Sequence, residues 1–367
     1  MFINMKNFLK IYFLFLIFSC SKNKYQTSIQ GNIPNLPDGT IFLFKDNPNN
    51  KVDSTETKNG KFSLIHVWKE DEPSYIGIDH IDRNGINRFF NFTTKANYKK
   101  VPGWGTNVFL SDPVININGN LKYDTLVGIN LPADKKPVTG PPLKGGKQTE
   151  AFYNIDGDLF EKIDDKTIRT VKEKIERYPY SYHLLYKINE NRNSFSAYQV
   201  KDFLKSFKGE ITKSETFEKL LAYNEKRFNE KSIAIPILQD KNGLKKEILN
   251  KKYKKHLIVF RASWCGHCRQ EIPMLKKLYG LYENDIEFIS ISTDTDKALW
   301  QKALKEENMK WKQLIVSNDI SENEALQIHF KLNQAIPYTV LVDNDLKILG
   351  NTTGLSNEQE LKKLINK

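Results

Sequence analysis

Five consecutive residues constrain this chain more than any others: Trp264-Cys265-Gly266-His267-Cys268. Directly before them runs Leu257-Ile258-Val259-Phe260, apolar at every position, as in a strand covered on both faces. Directly after them, residues 269–283 place Ile272, Leu275, Leu278 and Tyr279 on one side of an expected helix. Cys265 therefore falls at a strand-to-helix junction, at the amino end of the helix. Unpaired backbone amides and the positive end of the helix dipole favour a thiolate there. The thiolate, not the thiol, attacks disulfides. Two intervening residues let both sulfurs meet within one turn, so Cys265 is expected as the exposed nucleophile and Cys268 as the resolving thiol. Half of a zinc site is the competing use of such a pair, but it needs further Cys or His ligands. His267 lies between the cysteines and the chain, with three cysteines in all, has no second pair, so no metal is expected.

The rest of residues 232–367 alternates strand and helix signals. A hairpin is expected at 237–243, strands at 286–292 and 311–316, and helices at 296–307 and 322–330. Ala335-Ile336-Pro337 then leads into the apolar run 338–342, an awkward place for a residue without an N–H. Asp343-Asn344-Asp345 turns into a last strand, and Ser356 is expected to cap the final helix with Gln359 completing a capping box.

This order, the Trp-Cys-x-x-Cys turn and the Ile-Pro lead into a strand together resemble thioredoxin, and within that superfamily the membrane-tethered TlpA/ResA type. The resemblance implies an α/β thioredoxin-like carboxy-terminal domain with thiol–disulfide oxidoreductase activity, whose only redox group is the Cys265–Cys268 disulfide. It implies that Pro337 is cis and faces the pair, and that Ile336 offers backbone groups to an incoming peptide. Glu271 matches the acidic residue that moves protons beside the pair, and Pro273 matches the proline that kinks the helix. Val259 stands where thioredoxin carries a buried Asp, which leaves proton handling to Glu271. Arg261 replaces a usual Trp; it is either a solvated cation or a group that steadies a thiolate. Trp264, Gly266 and His267 tune the pair. His267 resembles protein disulfide isomerase, because a partly charged imidazole stabilises the Cys265 thiolate. The potentials of thioredoxin and the isomerase differ by roughly 90 mV, about 4 kcal/mol in the couple, so the direction of electron flow stays open.

The amino terminus supplies a compartment. Lys6 and Lys10 are followed by the unbroken apolar run 11–18, then Ser19 and Cys20. Charged, apolar, small, then cut is the order of a secretory signal, and the run is shorter than the roughly 20 apolar residues of a permanent span. Ile17-Phe18-Ser19-Cys20 resembles a bacterial lipobox, which implies cleavage before Cys20 and its lipidation. Acyl chains then hold an otherwise soluble protein at a membrane. An ordinary signal that contains a cysteine is the alternative. Ser21, rather than Asp, after the cysteine implies the outer membrane, on the periplasmic side of a Gram-negative envelope. With Cys20 taken, no thiol outside the pair remains in that oxidising compartment, and no other intrachain disulfide is expected.

Between these ends the patterning changes once. Residues 25–131 read as short strands at regular spacing, with Asn59-Gly60 as a two-residue hairpin turn, which suggests an antiparallel β-sandwich-like domain. Asp53-Ser54-Thr55 and Asn59-Gly60-Lys61-Phe62 resemble the β-rich domain of unknown role found ahead of thioredoxin modules in some Gram-negative lipoproteins. His66, His80 and Trp104 are isolated and expected to be structural. Residues 131–147, rich in Pro, Gly and Lys, read as a linker. From 149 to 231, Val171, Ile175, Leu184, Leu185, Ile188, Phe203, Leu204, Phe207, Phe217, Leu220 and Leu221 recur at helical spacing, with Tyr178-Pro179-Tyr180 as a break. The expected organisation is a signal peptide at 1–19, a β-rich domain with linker at 20–147, a helical connector at 148–231 and the redox domain at 232–367.

The net charge of +12 is spread along the chain and accompanies no nucleic-acid-binding motif, so nucleic acid is not an expected partner. The expected function is a lipid-anchored periplasmic oxidoreductase that exchanges disulfides with exported proteins, as a reductant fed by a membrane thiol donor. A disulfide oxidase or isomerase of the same fold is the alternative, as is an envelope binding lipoprotein with a redox-regulatory pair.

Overall fold

The computed structural model describes residues 25–124 and 131–367. The signal segment, Cys20 and the strand expected at 126–129 lie outside the described residues. Two compact units emerge, one comprising residues up to 93 with 105–149, the other 94–104 with 150–367. Among the described residues no helix is long and apolar enough to cross a membrane.

The first unit is β-rich. One sheet orders its strands Leu143–Lys144, Val114–Asn118, Gln26–Asn32 and Lys61–Val67. The other centres on Asn87–Thr93, Tyr75–Asp82 and Gly39–Lys45. Alternation of buried and exposed positions in Gln26–Asn32 and Lys61–Val67 is that of half-buried strands. Most ladders are antiparallel, but Gln26–Asn32 pairs in parallel with Val114–Asn118, and Asn87–Thr93 with Lys135–Thr139. The stretch expected as a linker therefore supplies strands, Lys135–Thr139 and Leu143–Lys144. Asn59 and Gly60 both take positive φ, 51° and 72°, as a two-residue hairpin requires. His80 is structural: it is buried against Thr57, and burial with the nearby Arg88 pushes its imidazole down to about 4.

In the second unit, a short α1 (Lys147–Tyr153), which begins in the first, leads to four further helices: α2 (Asp165–Arg177), α3 (Tyr182–Glu190), α4 (Ala197–Ser206) and α5 (Glu215–Phe228). Asp164, Ser181, Ser196 and Ser214 cap α2 to α5 by accepting backbone N–H bonds. The apolar positions expected to pack do form one core, except Leu221, which is 40% exposed. Leu220 and Leu221 are neighbours about 100° apart around the helix, so one faces the core and the other leaves it.

The same unit contains a seven-stranded sheet, in the order Lys245–Lys246, Leu238–Asp240, Lys312–Ile315, Ile286–Ser292, Lys255–Arg261, Tyr338–Asp343 and Ile348–Thr353. The central strand, Lys255–Arg261, runs parallel to Ile286–Ser292 and antiparallel to Tyr338–Asp343. Its alternate residues point to opposite faces. Leu257 and Val259 pack with Leu275 of α6 (Gly266–Tyr282) and Leu361 of α9 (Glu358–Ile365). Ile258 and Phe260 pack with Leu326 and Phe330 of α8 (Ile320–Phe330). Each such side chain contributes about 1.5–3 kcal/mol by leaving water. The remaining helix, α7 (Lys297–Glu307), buries Trp300. Asn357 caps α9, with Glu360 completing the capping box, and not Ser356 with Gln359. The backbone N–H of Ser356 is instead given to Glu271.

Candidate active site

Cys265 is the N-cap of α6 in extended backbone, φ −82° and ψ 103°, directly beyond the end of the central strand. Its sulfur accepts the N–H of Cys268 at 3.1 Å. The two sulfurs are bonded to each other. Helix amides and the helix dipole thus point at the sulfur that must carry negative charge after reduction. Cys265 is less open than its position in the turn predicts, 6% exposed against 2% for Cys268. The sulfur is turned inward to the helix, and the carbonyl oxygen of Ile336 lies 3.8 Å from it. Trp264, 70% exposed, presents the apolar surface beside the pair. His267 is exposed on the first turn. A Cβ at Gly266 would meet nothing within 4 Å, so the space there does not require glycine.

The peptide bond between Ile336 and Pro337 is cis. Ile336 packs against Ala262, Cys265 and Cys268. The Pro337 carbonyl accepts the N–H of Gly354 at 2.8 Å, which ties this corner to the adjoining strand Ile348–Thr353.

Glu271 lies one turn beyond Cys268 and is fully buried. Its Oε1 accepts the Ser356 N–H, while Oε2 has no hydrogen-bond partner among the described residues. Burial raises its carboxyl above the ordinary 4.5, against the opposing pull of the Ser356 bonds. A carboxyl whose folded value is raised binds its proton more tightly in the folded state. Stability then falls as pH rises from 4.5, and the loss is complete above the raised folded value. Glu271→Gln keeps an acceptor for Ser356 and removes the charge. Its melting temperature in the oxidised chain should therefore gain on the parent as pH rises through that window. A difference between the two that does not change with pH would show that burial of the charge is not what the site resists.

Other residues that shape the turn were not legible as such. Asp294, buried at the end of Ile286–Ser292, accepts both the N–H and the hydroxyl of Ser263, the latter at 2.6 Å. It also accepts the Ser292 hydroxyl. Arg269 Nε donates to the Ser263 carbonyl at 3.0 Å, so the residue before Trp264 is held on both sides. Arg261 is not a solvated cation. It is 2% exposed, and its Nη2 donates to Glu307 Oε1 at 2.6 Å. The only sequence signals were a carboxylate just past a buried strand and one at the end of α7; the pairings span 31 and 46 residues. Among the described residues no group of His, Cys, Asp and Glu is placed to hold a metal ion.

Comparison with known proteins agrees with this geometry. A family model described as thioredoxin-like matches residues 253–348, and the model of a domain of unknown function, DUF4369, matches residues 27–152. The chain is 24% identical over 132 residues to the thiol-disulfide oxidoreductase ResA of Bacillus thuringiensis, covering 36% of this chain and 73% of that one. It is 42% identical over 41 residues to a thioredoxin of Borreliella burgdorferi, covering 11% of this chain and 35% of that one. Among solved structures, the thioredoxin domain of a thiol-disulfide oxidoreductase from Bacteroides vulgatus matches with 25% identity and a TM-score of 0.32, over 36% of this chain and 95% of its own. A bonded Cys-x-x-Cys turn at the end of the central strand, with a cis-proline corner beside it, agrees with the thioredoxin-like match at 253–348: the chain carries a thioredoxin-like domain similar to the thiol–disulfide oxidoreductase ResA, behind an amino-terminal β-rich domain that matches DUF4369.

Proposed function

We propose that this protein is a lipid-anchored oxidoreductase of the cell envelope that reduces disulfides in exported proteins. The observation that carries the reading is the Cys265–Cys268 pair at the amino end of α6, with the Ile336 carbonyl 3.8 Å from Cys265 Sγ. In the reduced protein the Cys265 thiolate attacks one sulfur of a substrate disulfide. That bond breaks, its other sulfur leaves with the electron pair and takes a proton, and a mixed disulfide forms. The Cys268 thiolate then attacks Cys265 Sγ. The second substrate thiolate leaves, is protonated, and the Cys265–Cys268 bond closes. Two electrons pass from the pair to the substrate, and a membrane thiol donor returns them. The pair itself is the redox group, with no bound cofactor. Glu271, buried near the pair, takes the proton from Cys268 as that thiol becomes a nucleophile. Ile336 holds the substrate backbone beside Cys265. Trp264 offers an apolar contact, and Gly266 and His267 set the potential. Support for the compartment comes from the lipobox-like segment ending in Cys20, and Ser21 favours the outer membrane.

Direction is tested by the midpoint potential of the pair, measured against thiol buffers on the full chain. A reductant is expected to lie well below the roughly −180 mV of protein disulfide isomerase, toward the −270 mV of thioredoxin. A value at or above that of the isomerase would overturn the reductant reading. It would favour the second one, oxidase or isomerase, for which the exposed His267 inside the turn is the supporting observation.

A further inference from the structure

We infer that the helical segment positions the redox site, and that Asn193 is the residue through which it does so. Asn193 lies in the connection between α3 and α4 and is 6% exposed. Its Nδ2 donates to the Leu332 carbonyl at 2.8 Å. Its backbone N–H donates to Asn333 Oδ1 at 3.0 Å, and Asn333 Nδ2 donates in return to Ser194 Oγ at 2.8 Å. These bonds grip the stretch that leaves α8 and enters Ile336–Pro337. Asn193 is itself held from behind by the Tyr223 hydroxyl of α5, at 2.8 Å. The Arg192 guanidinium lies 4.2 Å over the Tyr223 ring and fixes that ring in turn.

The grip falls where the loop needs it. Lys331 ends α8 in left-handed backbone, φ 51°, and the next anchored corner is Pro337, tied to Gly354. Between them Gln334 and Ala335 are exposed. Asn193 fixes the near side of this span, and the Ile336 carbonyl beside Cys265 is at its far side. The inference rests on the reading of Ile336 as the edge that holds a substrate backbone. A displacement of about 1 Å at such an edge costs up to roughly a hundredfold in rate. A small disulfide needs only the sulfur of Cys265, so it does not report on that edge. Asn193 is therefore a positioning residue for protein substrates.

The test compares two disulfides on the reduced full chain, insulin and Ellman's reagent, in the parent, Asn193→Ala and Asn333→Ala. For both variants the KM for insulin should rise about tenfold, the size of effect that losing one or two buried hydrogen bonds produces. The rate with Ellman's reagent and the midpoint potential should stay at parental values. Asn333→Ala acts from the half-buried loop side and guards against misfolding caused by the buried change. The double variant should be worse than either single one, because Asn193→Ala removes the bond to the Leu332 carbonyl while Asn333→Ala removes the bonds to the Asn193 N–H and Ser194. An unchanged insulin KM in both variants, or equal losses on both disulfides, overturns the inference while leaving the exchange reading intact. A parent protein that reduces neither disulfide overturns the exchange reading and this inference with it.

Discussion

Full-length chain carrying Cys268→Ala is expected to accumulate mixed disulfides on Cys265 in cells, and chain carrying Cys265→Ala to accumulate none. The asymmetry follows from the position of the two sulfurs. Cys265 caps α6, receives the Cys268 N–H and lies beside the Ile336 carbonyl, whereas Cys268 is 2% exposed inside the helix. In the proposed exchange an incoming disulfide meets Cys265, and Cys268 clears the product from within. Well-placed intramolecular partners react as though present at about 10⁵ M or more. Once Cys268 is gone, external thiols alone can clear the mixed disulfide, so its lifetime lengthens by several powers of ten. Non-reducing gels followed by identification of the bound chains read the result. The partners should carry export signals, and the complexes should sediment with membranes unless Cys20 is replaced by Ala. Trapping on Cys268 in the Cys265→Ala chain would reverse the assigned roles. Recovery of cytoplasmic partners would remove the protein from the envelope.

How far the sequence could be read depended on whether an interaction was local. The strand 257–260, the turn and α6 are contiguous, so apolar spacing and helix-end electrostatics locate the pair at a strand-to-helix junction. Pro337 could be placed because a proline before an apolar strand is a local anomaly, and its cis bond was an expectation of the thioredoxin resemblance. Glu271, three residues after Cys268, was an expectation of the TlpA/ResA resemblance, and the structure buries it one turn beyond Cys268. What escaped was everything decided by distant partners. Ser356 has the composition of a cap, but its N–H is claimed by Glu271, 85 residues away, so Asn357 takes the cap. Cys265 has the position of an exposed thiol, but Ile336, 71 residues on, covers it. Residues 131–147 have the composition of a linker, yet strands elsewhere in the first unit recruit them by parallel and antiparallel pairing. Arg261 was undecidable locally, since a strand-end cation is solvated unless something distant neutralises it.

That neutralising group makes the second large prediction. Glu307→Ala is expected to destabilise the unit that contains the redox sheet by about 3–5 kcal/mol, because it leaves a buried guanidinium without its counter-charge. Arg261 is 2% exposed, and among the described residues Glu307 is the carboxylate that its Nη2 meets, at 2.6 Å. Arg269, the other group near Glu307, lies 3.8 Å away and is itself a cation, so it adds like charge beside Arg261 once the carboxylate is gone. Glu307 closes α7, and a negative charge at the carboxyl end of a helix is unfavourable with the dipole. Its helix therefore gains from the substitution, and any loss measured belongs to the ion pair. At roughly 2–4 °C per kcal/mol for a unit of this size, the midpoint should fall by about 10 °C. Replacing both partners together, Arg261→Met with Glu307→Leu, should recover most of the loss, because a buried ion pair is often no more stable than apolar side chains of similar volume. Thermal melts of Arg261→Met, Glu307→Leu and the double variant complete the cycle. A midpoint for Glu307→Ala equal to that of the parent would mean that Arg261 finds water at the carboxyl end of its strand, and that the support beneath the active turn rests on Asp294 and Arg269 alone.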